Sequence, residues 1–389
     1  MGRGMWLLAA IVVGLIQQPM RADPPFKFPE AKTTNAELRY IEGLPVLTVS
    51  GTAREIGEGV GQLALKPGKR VANYPEEILR HFHAGLAYLP ILKAGEKMVE
   101  QFPADYQCEL DAMARASGVA REKLVVANTL FDLKKLFACS ALMVEPARSA
   151  TGGSLMGRNL DYPGLGYLHE YSLVTVCRPK DAKHAFALIG FPGLIGCLSG
   201  INDAGLAVAV LEVPQTKVAE KQFDINGLTY GLCHRRLLEE CSTIAEAHEA
   251  LSKMKRTALS NLAVADRTGV AVFEISPQRV VIRKGVNGTT VCTNHFLSEE
   301  LRSRVAMNFC RTFDRFAAME KVSNMKKNLG VADLHLAMHV AQEPDTMQTM
   351  IFEPSTLRLH LAIGSIPASQ DTLRVLDLEP LFREVNAQR

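Results

Sequence analysis

No stretch of this chain interleaves clustered lysines and arginines with aromatic side chains, and its 44 basic residues barely outnumber its 41 acidic ones. Nucleic acid is therefore not an expected partner. No apolar run reaches the roughly 20 residues that cross a bilayer. The glycines at 57, 59 and 61 do not follow the GxGxxG spacing, and no second half of a dinucleotide fold comes after them. Gly196-Cys197-Leu198-Ser199-Gly200 lacks the GxSxG spacing of a serine-hydrolase elbow. His335 and His339 lie four apart on a predicted helix, but no acidic residue stands where HExxH requires it, so a plain helix face is the better reading than a zinc site. No metal, nucleotide or flavin cofactor is implied. Repeats, low-complexity segments and Gly/Ser linkers are also missing, which points to one domain.

What is present begins with 389 residues that are 47% apolar, ample for a large core. Arg3, an apolar run from Trp6 to Ile16 and the break at Gln17-Gln18-Pro19 form an export signal over residues 1–22, with a cut near Ala22. A secreted or periplasmic location is the expectation, with an uncleaved anchor as the other reading. Eight cysteines at 108, 139, 177, 197, 233, 241, 292 and 310 form no CxxC pair. Cys177, Cys197 and Cys292 sit in strand-like apolar runs as small buried hydrophobes. Cys233 and Cys241 are the pair a disulfide could join.

Pattern divides the chain in two. Leu44 to Val49 reads as a strand, with Pro45 suiting an edge or first-residue position, and residues 76–137 are mostly helical. The glycines at 57, 59 and 61 suggest close packing within a helical run. From Cys139 onward the period changes to short strands separated by Gly, Pro, Asn and Asp turns. Helices return at Thr229–Glu240, Thr243–Met254, Leu301–Glu320 and Val331–Val340, and strands at 349–352 and 357–362 close the chain. Helices before, between and after many strands imply packed sheets under helical layers.

Cys139 opens the strand-like half in Phe137-Ala138-Cys139-Ser140. Gly157-Arg158-Asn159-Leu160-Asp161, Ser199-Gly200-Ile201-Asn202 and Thr293-Asn294-His295-Phe296 follow, so a thiol precedes a cation, a carboxylate and two amides. Acyl transfer through a covalent thioester requires groups of these kinds. Together with Arg54-Glu55-Ile56-Gly57, Glu109-Leu110, Ala116-Ser117-Gly118-Val119, Asn128 and Gly190-Phe191-Pro192-Gly193-Leu194, the order and spacing of these segments resemble the peptidase C45 family. That family is the isopenicillin-N acyltransferase-like branch of the N-terminal nucleophile (Ntn) hydrolases.

The resemblance implies an α+β fold, a four-layer αββα sandwich of two stacked, mainly antiparallel sheets. It implies self-cleavage at Ala138-Cys139 into an α chain (23–138) and a β chain (139–389) of one precursor. Cys139 would be the nucleophile and its freed amine the proton acceptor. Such an amine has a pKa of roughly 7.7–8 and can serve as a base at neutral pH. Arg158 would stabilise the thiolate and Asp161 would hold the amine. Because residues three apart on a strand face opposite ways, a turn or bulge at Asn159-Leu160 would be needed to bring both to one side. Asn202 and Asn294 would form the oxyanion hole, and Arg315 fits a further arginine better than Arg304. The implied activity is cysteine-type amide hydrolysis or acyl transfer on a small N-acyl amide. An acyl-ester or phospholipid hydrolase of the same fold, or a non-catalytic secreted binding protein, are the alternatives.

Overall fold

The computed structural model describes residues 25–134, 138–181, 184–305 and 307–383. The export signal expected over residues 1–22 lies outside them. Strands β1 (Ala31–Lys32), β2 (Ala36–Ile41) and β3 (Leu44–Gly51) lead into helices α1 (Ala53–Val60), α2 (Tyr74–His81), α3 (Tyr88–Val99), α4 (Ala104–Ser117) and α5 (Arg121–Leu133). Next come β4 (Ala138–Val144), β5 (Leu155–Asp161), β6 (Leu173–Pro179), β7 (Phe186–Gly190), β8 (Ser199–Asn202) and β9 (Ala207–Glu212). Helices α6 (Tyr230–Glu240) and α7 (Ile244–Lys253) precede β10 (Ser260–Ala265), β11 (Val270–Ile275), β12 (Val280–Arg283) and β13 (Thr289–Cys292). The remainder is α8 (Thr312–Ser323), α9 (Val331–Val340), β14 (Thr346–Glu353), β15 (Arg358–Ile363), β16 (Arg374–Asp377) and α10 (Glu379–Arg383).

Among the described residues these strands make a ten-stranded sheet, β1-β2-β3-β6-β7-β8-β9-β10-β11-β12, and a six-stranded sheet, β13-β4-β5-β14-β15-β16. Side-chain alternation along β4 shows how they stack. Cys139, Ala141 and Met143 join the main core with Val208, Val210, Leu262 and Val264 of the larger sheet. Leu142 and Val144 turn the other way, onto Met319 and Val322 of α8 and Leu334 and Met338 of α9. Both faces of β4 are covered, and every one of its residues is buried, Ser140 included. The order of layers is helices, sheet, sheet, helices.

Helix α1 is started by a capping box in which Thr52 and Glu55 satisfy each other's backbone N–H groups. Its glycines bring it against α4: a Cβ at Gly57 would stand 2.3 Å from the Glu109 carbonyl oxygen. Three expectations are corrected. Pro45 is not on an edge strand, because β3 lies between β2 and a parallel neighbour, β6; the β3–β6 ladder begins only at Val46, so the missing N–H of Pro45 costs it nothing. The helix expected from Leu301 starts at Thr312 instead, since Cys310 (φ 45°) and Arg311 (φ 51°) adopt left-handed backbone that a helix cannot continue through. Cys233 and Cys241 are free thiols. Eight residues of helix put them roughly 12 Å apart along the axis, beyond the about 7 Å that a disulfide spans.

Candidate active site

Cys139 is the second residue of β4 and is buried at 1% exposure. Its backbone N–H donates to Asn294 Oδ1 at 2.9 Å, and its carbonyl accepts from Arg315 Nη1. Arg315 also donates from Nη1 to Ser140 Oγ (2.9 Å), from Nη2 to Asn294 Oδ1 (2.6 Å) and from Nε to the Cys310 carbonyl (2.8 Å). A planar guanidinium with donors in a fixed fork suits this bridging, which ties α8 to the start of β4. Arg304 is exposed on the surface. Asn294 is held from its other end, where Nδ2 donates to the Glu212 carbonyl at 2.8 Å.

Arg158 and Asp161 sit on β5, the antiparallel neighbour of β4, and the ladder between them is unbroken from Ala138 opposite Asp161 to Val144 opposite Leu155. The bulge expected at Asn159-Leu160 is absent. The irregularity falls instead on β14, between Thr346 and Gln348. Directly paired residues on antiparallel strands share a face, so Arg158, like Leu160 and Cys139, turns between the two sheets, where Arg158 Nη2 reaches the Val210 carbonyl of β9 at 3.2 Å. Asp161 takes the opposite face together with Ala138, and its Oδ1 accepts from Thr346 Oγ1. Arg158 and Asp161 thus flank the start of β4 from its two faces.

Burial pushes the Cys139 thiol up to about 12; Arg158 and Arg315 pull it down, and Asp161 and Glu212 push it further up. Burial likewise raises the Asp161 carboxyl to about 6, opposed by Arg315, the Thr346 hydrogen bond and Arg158. Nε and Nη1 of Arg158 and Oδ2 of Asp161 are buried with no hydrogen-bond partner among the described residues.

Asn202 is elsewhere. Its Nδ2 hydrogens are both committed, to the carbonyls of Leu238 (2.9 Å) and Cys241 (2.7 Å), and its Oδ1 accepts from Leu206 N–H across the β8–β9 turn. That turn and Glu212 are at opposite ends of β9, six residues or roughly 20 Å apart. An oxyanion donor needs a free N–H aimed at the thiol, and this amide has none to give.

The polar group that β9 brings to the site is Glu212, fully buried, with Oε1 accepting from Tyr230 OH at 2.9 Å and its carbonyl holding Asn294. The sequence carried a signal for it: a lone carboxylate ending the apolar run Ala207–Leu211 has to be buried, and buried charges are rare unless they serve a purpose. Glu343 arrives from the segment after α9, 3.4 Å from Arg315 Nε, with its carboxyl raised by burial. Nothing in its sequence surroundings marks it out. His335 Nε2 donates to the Ser369 carbonyl at 3.0 Å, and among the described residues no three His, Cys, Asp or Glu side chains converge as a metal cage.

The sequence pattern of the acyl-coenzyme A:6-aminopenicillanic acid acyl-transferases matches residues 148–365, more than half of the chain, and includes Arg158, Asp161, Glu212, Asn294 and Arg315. The chain belongs to that family. Membership of the acyl-coenzyme A:6-aminopenicillanic acid acyl-transferase family places it among the Ntn hydrolases. Among solved structures it is similar to a conjugated bile acid hydrolase mutant from Clostridium perfringens (TM-score 0.45, 14% identity, 62% of this chain and 93% of that one). Similarity extends to a penicillin V acylase from Agrobacterium tumefaciens (TM-score 0.42, 14% identity, 58% and 83% of the two chains). A further similar structure is an N-acylethanolamine-hydrolyzing acid amidase ortholog from Caenorhabditis elegans (TM-score 0.40, 14% identity, 56% and 93%). An uncharacterized protein of Archaeoglobus fulgidus is 26% identical over 154 residues, 39% of this chain and only a quarter of the relative's own length.

Proposed function

We propose that the protein is an exported, self-processing cysteine Ntn enzyme that takes the acyl group of an N-acyl amide onto Cys139 as a thioester and passes it to water or an amine. In this reading Cys139 Sγ attacks the Ala138 carbonyl carbon, the carbon–nitrogen bond to Cys139 breaks to leave a thioester and a free, newly protonated α-amine, and water then hydrolyses the thioester, releasing Ala138 as a carboxylate and restoring the thiol. In turnover that amine takes the thiol proton as Sγ attacks the substrate carbonyl and returns it to the leaving amine. Arg158, sharing the face of Sγ, stabilises the thiolate. Asp161, on the other face beside Ala138, receives the new ammonium. Asn294 supplies an amide donor toward the tetrahedral oxygen, with its orientation fixed by the Glu212 carbonyl and the Arg315 guanidinium.

The observation that carries this reading is the set of buried groups near Cys139 that have no partner among the described residues, two donors of Arg158 and one oxygen of Asp161. Leaving buried polar atoms unmatched costs about 1–3 kcal/mol each. A thiolate on one side and an ammonium on the other are the charges that would match them.

Acid-quenched single-turnover mass spectrometry on an N-acyl amide tests it. The fragment beginning at Cys139 should gain the mass of the acyl group, and hydroxylamine should remove it. An adduct elsewhere in the chain, or turnover with no adduct and full activity in Cys139→Ala, would discard the thioester.

A further inference from the structure

Far from Cys139, at the end of the larger sheet where Asn202 closes the β8–β9 turn, three side chains from separate segments form a hydrogen-bonded chain. His184 precedes β7, Asp203 follows β8, and Ser242 joins α6 to α7. His184 Nδ1 is 2.6 Å from Asp203 Oδ1, and His184 Nε2 is 3.0 Å from Ser242 Oγ. We propose that Ser242, His184 and Asp203 are a second nucleophilic site, one that cleaves small acyl esters independently of Cys139.

The bonding fixes the roles. A carboxylate can only accept, so the Nδ1 hydrogen belongs to the Asp203 bond and Nε2 is left with its lone pair toward the Ser242 hydroxyl. That order, carboxylate to Nδ1 and Nε2 to serine, makes a hydroxyl a nucleophile, and it is recognised by geometry and not by position in a sequence. Each member is anchored. Asp203 Oδ2 accepts from Ala185 N–H at 3.2 Å, and the Asp203 N–H donates to the Ala185 carbonyl at 2.9 Å. The His184 N–H donates to the Glu239 carbonyl at 3.1 Å, and the two Asn202 bonds to Leu238 and Cys241 hold the end of α6 against the turn that carries Asp203. The amide mistaken in the sequence for an oxyanion donor thus belongs to the scaffold of this cluster.

Ser242 stands immediately before the N-cap of α7, Thr243, at the positive end of that helix. Three of the donors there are occupied: the Ser242 N–H by Glu246 Oε2 at 2.7 Å, the Ile244 N–H by Asp266 Oδ2 at 2.9 Å and the Glu246 N–H by Thr243 Oγ1 at 3.2 Å. The Glu246 carboxylate is the one bound to the serine's own N–H. This carboxylate opposes a developing oxyanion and restrains the site. The side chains of His184 and Asp203 are 30% and 39% exposed, so the cluster opens to solvent. Short acyl groups on a good leaving alcohol suit it.

In the reaction Ser242 Oγ bonds to the ester carbonyl carbon while its proton moves to His184 Nε2. The carbon–oxygen bond to the alcohol then breaks, and the alcohol departs with that proton. Water attacks the acyl-serine, gives a proton to His184 and releases the acid, restoring the serine.

The test uses full-length Cys139→Ala protein, so that the thiol is silent whatever its role, with a fluorophosphonate probe and with p-nitrophenyl acetate. In the probe reaction the serine oxygen replaces fluoride on phosphorus, and the proton goes to His184. Peptide mapping should find the adduct on Ser242 at a rate at least tenfold above any other serine. His184→Ala should cut that rate tenfold or more, and Glu246→Ala should raise it severalfold by freeing the Ser242 N–H. Acetate ester hydrolysis should fall to background in the Cys139→Ala, Ser242→Ala double variant, whose unchanged melting temperature would show that the fold is intact. Labelling of Ser242 at the rate of ordinary surface serines, or a rate unmoved by His184→Ala, would overturn the proposal.

Discussion

A fully buried guanidinium with two donors unmatched is a poor way to stabilise a protein, and Arg158 is such a group. In the proposed reaction its value lies in what it does for the neighbouring thiol, so stability and activity should respond in opposite directions when it is removed. In the uncut Cys139→Ala background, Arg158→Met is expected to raise the melting temperature, corresponding to about 1–3 kcal/mol, because the methionine fills similar volume without the unmatched donors. In the active protein the same change should lower kcat by orders of magnitude. Calorimetry and steady-state kinetics on the paired variants check both.

Asp161 gives a pH dependence whose sign can be worked out. Its carboxyl titrates at about 6 in the fold against an ordinary value near 3.8, so the protonated form is the one the fold favours. That contribution is complete below the unfolded value and is lost as pH rises through about 6. Two pH units at about 1.4 kcal/mol each make it on the order of 3 kcal/mol. The stability of uncut protein should therefore decline between about pH 4 and 6, and Asp161→Asn should flatten the decline in urea titrations across that range. At this scale the sequence was partly legible. Cys139, Arg158, Asp161, Asn294 and Arg315 could be picked out by their motifs, and they come near one another because β4 pairs with β5 and because Asn294 and Arg315 both bond to the Cys139 backbone. Asn202 misled because an amide beside a turn looks the same whether it serves the backbone or a substrate. Glu343 was invisible, since no local pattern records what a loop will approach.

At the scale of elements, what positions the site is the pairing of β4 with β5 and the docking of α8. The alternation of β4 and β5 was readable, and it sets the thiol of Cys139 on the face of Arg158 and the carboxylate of Asp161 on the other. The start of α8 was not readable, because the left-handed backbone at Cys310 and Arg311 falls on residues with no particular preference for it. The glycines of α1 were legible as packing positions. Gly57→Ala would drive a methyl to 2.3 Å from the Glu109 carbonyl, where backbone and not a flexible side chain must move. A loss of about 1–3 kcal/mol is expected, measured as a lower denaturation midpoint with an unchanged slope.

For the whole molecule, the two segments on either side of Ala138-Cys139 are not separate bodies. Strand β3 pairs in parallel with β6, so the ten-stranded sheet takes strands from both sides of the bond. After a cut there, the pieces should remain together in gel filtration and part only in denaturant. Layering of this kind was legible in outline from the change of period at Cys139, whereas the strand order was not, because pairings between distant segments leave no mark on either partner's sequence.

The most direct measurement is intact-mass analysis with N-terminal sequencing of denatured wild-type and Cys139→Ala protein. Wild type should give two chains, the second beginning Cys-Ser-Ala-Leu, and the variant a single chain spanning the Ala138-Cys139 bond. Fully active wild-type protein with that bond intact would contradict the role assigned to the Cys139 amine.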